Sequence, residues 1–173
     1  MAKVKGILAL ISTRDVDDAG TDAGIYIGVG GREFLCDSSA DDFERNSKAA
    51  YIFGEVTEDT TPYDRRTVNR PADNDPRSPF HLYTENLDLT PVYVRWEQGG
   101  NSADWCLDQI SVWAFTDTLS IGYFPAAAPN GLWFSSGTGM TLYMPLKLVT
   151  GGRPSMSFDD AVKNFRDQLT PVA

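Results

Sequence analysis

Three short stretches set carboxylates among turn residues: Asp18-Ala19-Gly20-Thr21-Asp22, Asp41-Asp42-Phe43-Glu44-Arg45 and Asp104-Trp105-Cys106-Leu107-Asp108. Paired carboxylates can move protons, as in glycoside hydrolysis, or hold a cation. Ca²⁺ takes about 6–8 oxygen ligands, drawn from side chains and backbone carbonyls alike. No single stretch supplies that many. Each lies where a strand pattern starts or stops, so three loops meeting at one end of a sandwich would suffice. The other reactive side chains add no reaction centre. His81 is the single histidine and sits in a Pro-rich stretch, and no Gly-x-Ser-x-Gly elbow is present. Ser135-Ser136-Gly137-Thr138-Gly139 has the composition of a phosphate loop but neither its lysine nor a following helix, and reads as a turn between strands. No enzymatic activity is expected.

The elements that must position these loops are strands. Residues 4–13 form an apolar run. Ile25, Ile27 and Val29 alternate with Tyr26 and Gly28, the period-two pattern of a half-buried strand. Gly30-Gly31 gives a hairpin turn into Glu33-Phe34-Leu35-Cys36, and Lys48 to Phe53 is a further strand. Val92, Val94 and Trp96 alternate again. Within Trp105–Phe115, Trp105 and Leu107 share one parity and Ile110, Val112 and Ala114 the other. That switch predicts a bulge near Asp108-Gln109, or cover on both faces. Leu132-Trp133-Phe134 and Met140 to Val149 complete the pattern. Strands at this spacing, with Gly and Pro between them, predict a sandwich or barrel.

Residues 55–90 break the pattern with Pro62, Pro71, Pro76 and Pro79 among Asp, Asn, Arg and Thr. A loop this long is functional or mobile as a rule. Its arginines (Arg65, Arg66, Arg70, Arg77, with Arg95 just beyond) read either as a partner or phosphate contact or as charges balanced by Asp64, Asp73 and Asp75. The tail 157–169 is a helix with Ser157 as N-cap and Asp159 and Asp160 in its first turn. Phe158, Ala161, Val162, Phe165 and Leu169 fall on one face, which packs on the sandwich or meets a partner.

In order, Ala19-Gly20-Thr21-Asp22 followed by Ile25-Tyr26-Ile27, then Asp42-Phe43-Glu44-Arg45-Asn46-Ser47, then Trp105-x-Leu107-Asp108-x-Ile110-x-Val112, resemble a PLAT domain over roughly residues 4–145. That module occurs in lipoxygenases, animal lipases, polycystins and bacterial phospholipase C toxins. The resemblance implies an all-β fold, an antiparallel β-sandwich of about eight strands, here spanning 1–150 with residues 55–90 inserted and a helical tail, 151–173, packed on it. It implies a non-catalytic module that binds Ca²⁺ and docks to membrane lipid headgroups or a protein partner. Carried over by motif, Asp18 and the Gly20 carbonyl share one ion with Asp104. Thr21 and Asp22 share a second with Asp41 and Asp42, and Glu44 joins them or pairs with Arg45. Asp41 stands where an asparagine is common in the family. Lipoxygenase-type members carry exposed aromatics before the first and third motifs. Here those places hold Asp17-Asp18 and Gly99-Gly100-Asn101; Tyr123-Phe124-Pro125 and Leu132-Trp133-Phe134 offer apolar residues elsewhere, or pack as strand ends in the core.

Composition narrows the partners. The 173 residues carry a net charge of −9, so nucleic acid, which needs clustered Lys and Arg, is excluded. An anionic membrane is a poor partner unless a bound cation inverts the local sign. The same acidity would by itself keep the chain in solution. No run of ~18 apolar residues is present. Ile7 to Ile11 is too short for a signal peptide and lacks a cleavage site, so a cytoplasmic, standalone protein with peripheral membrane association is expected. Cys36 and Cys106 lack CxxC spacing and read as buried thiols, with a disulfide between them left open. Two alternatives remain. One is a protein-interaction module, with the Pro-rich loop and tail helix as contact surfaces and calcium only stabilising the fold. The other is an accessory domain of a larger lipid-metabolising enzyme.

Overall fold

Residues Gly6–Thr13 read GILALIST, apolar on both parities as far as Ile11, so neither face of this strand suits water. In the computed structural model it is accordingly the central strand, buried at all eight positions. The structure describes residues 1–98, 103–138, 140–152 and 157–169, side chains of 168 and 169 excepted. The Gly99-Gly100-Asn101 flank, Gly139 and the side chain of Leu169 therefore lie outside the described residues.

Eleven strands, one α-helix and a single 3-10 turn (Thr84–Asn86) are described: β1 (Gly6–Thr13), β2 (Gly24–Val29), β3 (Arg32–Leu35), β4 (Lys48–Gly54), β5 (Asp64–Thr67), β6 (Tyr93–Glu97), β7 (Trp105–Phe115), β8 (Leu119–Phe124), β9 (Leu132–Phe134), β10 (Thr141–Tyr143), β11 (Leu146–Gly151) and α1 (Phe158–Leu169). Seven form one sheet in the order β11-β8-β7-β1-β4-β5, with β9 also on β7; four form the other, β10-β6-β2-β3. The all-β sandwich is as expected. Its pairs are antiparallel except β4 with β5, which run parallel. β5 lies inside the stretch read as loop.

The main core lies between the sheets. Ile7, Ala9 and Ile11 of β1, Tyr51 and Phe53 of β4 and Val112 and Ala114 of β7 meet Ile25, Ile27, Phe34, Val94 and Trp96 of the small sheet. A second cluster lies on the outer face of the large sheet. There Leu8, Leu10, Ala50, Trp113, Phe115 and Phe124 are covered by Phe158 and Ala161 of α1, with Val162 and Phe165 beside them. The apolar face of α1 is thus packed inward, and Ser157 Oγ caps it by accepting from the Asp160 N–H at 3.2 Å. Both readings of β7 hold. Its two faces are covered, and its register against β1 shifts at Ser12/Thr13, where Ser12 faces Gln109 but Thr13 faces Leu107. Asp108 is the extra residue, and the parity of the inward side chains reverses across it.

Candidate functional site

β1, β2, β4 and β7 carry the three acidic motifs to one end of the sandwich. What holds the loops together there is Thr21. Its N–H donates to the Phe43 carbonyl at 3.3 Å, joining the first motif to the second. Its buried hydroxyl donates to the Ala103 carbonyl at 2.5 Å, joining the first to the segment before the third. The same oxygen accepts from the Ala23 N–H at 3.1 Å. A parallel tie runs from the Cys106 N–H to the Ala19 carbonyl at 3.0 Å. The Thr21 hydroxyl is therefore a latch between loops, engaged by the protein rather than offered to an ion.

Gly20 sits where the first loop presses on the second. A Cβ there would lie 3.2 Å from both the Arg45 nitrogen and the Phe43 carbonyl oxygen. Close approach, rather than a left-handed backbone, explains the glycine. The left-handed angles fall instead on Asp18 (φ 59°), Phe43 (φ 59°) and Asn46 (φ 62°). For a residue as bulky as Phe43 this is an outlier, with a cost of order 1–3 kcal/mol that surrounding contacts must offset. They do so by packing. The buried Phe43 ring stacks on Tyr51 at 5.2 Å and meets Trp105 edge-on at 5.4 Å. This one anchored ring decides which way its neighbours point.

The result divides the expected ligands. Asp22 and Asp41 are exposed and line one cleft of about 330 Å³, together with Thr21, Tyr26, Leu35 and Asp42. Asp42, however, turns its carboxylate toward the protein. It accepts from the Ser38 N–H at 2.6 Å, the Ser38 hydroxyl at 2.7 Å and the buried Tyr51 hydroxyl at 2.9 Å. Tyr51 in turn has its pKa pushed far up, by burial first and then by neighbouring acidic groups. Asp37 lines the same cleft and had not been singled out. It ends the strand run four residues before Asp41, the same strand-end position that marked the other acids. One of its oxygens accepts from Asn69 Nδ2 at 2.9 Å.

Asp18, Gly20 and Asp104 lie at this end too, with Asp18 and Asp104 both exposed. Glu44 is exposed, and Arg45 pairs not with it but with Asp15 at 2.7 Å and Asp17 at 2.5 Å. Asp108 is taken by Arg14 at 2.6 Å. The donor chemistry of the cleft fits a hard cation, since its accessible side-chain donors are oxygens. Cys36 beside them is buried, and burial holds its thiol well above the usual pKa. The geometry is not closed around an ion: among the described residues no three Asp, Glu, His or Cys side chains converge on one point.

Other residues singled out from sequence have structural partners. His81 Nε2 lies 3.1 Å from the Val4 carbonyl. Ser135 Oγ accepts from the N–H groups of Gly137 and Thr138, making a turn. Cys36 and Cys106 are separate buried thiols. In the long connection, Arg70 pairs with Asp73 at 3.0 Å and Arg77 with Asp75 at 2.8 Å, and Arg65 donates to the carbonyls of Val56 and Glu58. Of the apolar stretches away from the motif flanks, Tyr123, Phe124 and Phe134 are buried, whereas Leu132 and Trp133 leave apolar surface exposed at the acidic end. Leu132 and Trp133 pair with the start of β7 and are 40% and 37% exposed, and Val16 and Met140 are exposed as well.

No protein-family model and no curated protein matches the sequence. Solved structures do match. Alpha toxin from Clostridium absonum aligns with 83% of this chain at a TM-score of 0.51 and 21% identity. Clostridium perfringens alpha-toxin from an avian strain aligns with 82% at 0.50 and 18%. A LOX protein aligns with 94% at 0.46 and 18%. The chain spans about a third of each toxin, 32% and 31%, and 19% of the LOX protein. The fold shared with part of the toxins fits the PLAT-type sandwich expected from the three motifs. No helix among the described residues is long and apolar enough to cross a membrane.

Proposed function

We propose that this chain is a non-catalytic PLAT-like module that binds Ca²⁺ at the acidic end of its sandwich and associates there with lipid headgroups. The observation that carries this reading is the convergence of the three motif loops through Thr21, with Asp22, Asp37 and Asp41 lining one cleft. Asp22, Asp41 and backbone carbonyls of the first loop would hold the ion. Asp18, the Gly20 carbonyl and Asp104 would hold a second. Asp42 supports the loop from behind rather than ligating. Bound Ca²⁺ supplies positive charge, through which an acidic protein can meet an anionic headgroup. Leu132, Trp133, Val16 and Met140 give the same end an apolar component that the motif flanks lack.

The test is calorimetric titration of Ca²⁺ into metal-free protein, repeated with Asp22→Ala and Asp104→Ala, followed by sedimentation with phosphatidylserine vesicles. Binding heat lost in the variants, and sedimentation abolished by chelator, are expected. No heat in the parent protein removes the metal reading, and vesicle binding indifferent to chelator removes the bridging role. A melting shift with Ca²⁺ but no vesicle binding selects the alternative in which the ion only stabilises a protein-interaction module. The modest share of the toxins that the chain spans keeps a third reading, accessory domain of a longer lipid-acting protein, beside these two.

A further inference from the structure

The two sheets differ in what covers their outer faces. The outer face of the large sheet is closed by α1. That of the small sheet bears no helix or strand among the described residues, and it is built from rings and paired charges rather than aliphatic side chains. Arg95 of β6 lies with its guanidinium 4.4 Å from the centre of the Tyr26 ring. The same group forks onto Glu33 at 2.9 and 2.6 Å and reaches Glu97 at 3.6 Å. The Tyr93 hydroxyl donates to Glu33 at 2.7 Å. Tyr93 meets Tyr143 of the edge strand β10 in an edge-to-face pair at 6.1 Å. Tyr143 itself remains 57% exposed.

This face runs without a break into the acidic cleft, because Tyr26 and Leu35 line both. Along that surface Glu33, Glu97, Asp22, Asp37 and Asp41 accompany Arg95, which pairs with the first two and leaves the three aspartates uncompensated by it. Aromatic rings that stand beside carboxylates attract guanidinium and ammonium groups by their faces as well as by charge. Arg95 between Tyr26 and Glu33 is that arrangement made within the chain. Tyr143, opposite Tyr93, offers a second ring that is largely exposed, and Glu97, four residues along β6 from Tyr93, offers a second carboxylate for another basic side chain of the same extended segment. Tyr and Arg are also the residues that dominate protein interfaces, and Leu35 alone adds little of the aliphatic surface that lipid would reward.

We propose that the outer face of the small sheet, centred on Tyr143 and Glu97 and continuing into the cleft, docks a basic segment of a protein partner, with an Arg or Lys side chain lying on Tyr143. Its attraction is for arginine-bearing peptide, and it needs no bound ion. Calcium in the cleft would weaken it by cancelling part of the negative field.

The experiment is a fluorescence-anisotropy titration of the whole chain, in chelator, with a labelled, end-capped octapeptide of alternating arginine and serine. The same peptide with glutamate in place of arginine serves as control. Binding of the arginine peptide alone is expected. Tyr143→Ala, which changes no charge, should weaken it about threefold, the scale of one exposed cation–ring contact. Glu97→Gln should add to that loss, whereas Asp117→Asn, at the opposite end of the sandwich, should leave affinity unchanged. Indifference to Tyr143→Ala, or an equal loss from Asp117→Asn, overturns the proposal, because net charge alone would then explain the binding. Displacement of the peptide by neutral phosphatidylcholine vesicles also overturns it, in favour of a lipid surface. Because chelator is present throughout, failure here is separable from failure of the calcium reading.

Discussion

Replacing Asp42 by alanine should cost stability rather than an ion ligand. Its carboxylate holds three donors: the Ser38 N–H, the Ser38 hydroxyl and the Tyr51 hydroxyl, at 2.6, 2.7 and 2.9 Å. Tyr51 is fully buried, so its hydroxyl has no water to fall back on. Leaving such a group unpaired costs about 1–3 kcal/mol, and a hydrogen bond to a charged acceptor is worth about 1.5–3 kcal/mol. Ser38 is buried but keeps 8% of its surface exposed, so part of its bonding is recovered from water and the total is about 3 kcal/mol. For a chain of this length that corresponds to about 6–12 °C in Tm. The assay is thermal and urea unfolding in chelator of Asp42→Ala, Tyr51→Phe and the double variant. Removing both partners should cost less than the sum, with a coupling of about 1–2 kcal/mol. Calcium affinity of Asp42→Ala, measured below its melting range, should stay within about threefold of the parent, since both carboxylate oxygens are already held by protein donors. The reasoning is refuted if the stability loss is below about 0.5 kcal/mol. It is equally refuted if the coupling vanishes, or if calcium binding disappears while the fold persists.

Three further outcomes follow from the same contacts. Gly20→Ala should destabilise by about 1–3 kcal/mol, the scale of overpacking, because the atoms that its Cβ meets are backbone and one of them, the Phe43 carbonyl oxygen, is held by the Thr21 N–H; unchanged urea unfolding would show that the loops yield freely. Hydrogen bonds from Arg95 hold the Glu33 carboxyl below the usual carboxylate range despite partial burial. Its folded value being depressed, the stability it contributes is present above the unfolded value, about 4.3, and is lost as pH falls through the folded one. The Tm difference between parent and Glu33→Gln should therefore shrink on acidification from pH 6 to 3, and parallel curves would contradict the pairing. Burial raises the pKa of both thiols, with the Asp42 charge adding at Cys36 and the Asp108 charge at Cys106, where Arg14 opposes the rise. An aromatic disulfide reagent at pH 8 should then label neither cysteine in the native chain and both in denaturant, and rapid native labelling would place a thiol at the surface.

The strands were legible where side-chain parity carried the information. The reversal between Leu107 and Ile110 marked the bulge at Asp108 before any register was known. Gly30-Gly31 likewise marked a turn whose two residues both take positive φ. β5 was hidden for a physical reason. Asp64-Arg65-Arg66-Thr67 is an edge strand, and charges suit an edge because they discourage further pairing. Nothing local announces that its partner lies parallel. The acidic motifs announced a shared site by residue type, but type does not fix direction. Asp41 and Asp42 are neighbours, and only the left-handed turn at Phe43, set by its stacking on Tyr51 and Trp105, sends one outward and the other in. Leu132-Trp133-Phe134 stayed open between exposed and packed for a similar reason. A three-residue strand reads the same whether or not another element covers it.

β1 has a consequence for how this molecule opens. Covered on one side by the sandwich core and on the other by the layer beneath α1, it has no exposed residue along its length. In hydrogen–deuterium exchange its amides should be released only by global unfolding, whereas β3 and β10, at the edges of the uncovered sheet, should exchange through small local fluctuations. The acidic loop that follows Thr13 leaves directly from the C-terminal end of this slow strand, and the Thr13 hydroxyl accepts from Trp105 Nε1 at 3.0 Å. The side of the cleft at Asp41 to Phe43 leads into β4, the hydrogen-bonded neighbour of β1. The other side, toward Tyr26 and Leu35, belongs to the uncovered sheet, where faster exchange is expected. A ligand bridging the two walls would be read out as slowed exchange in β2 and β3, with β1 unchanged.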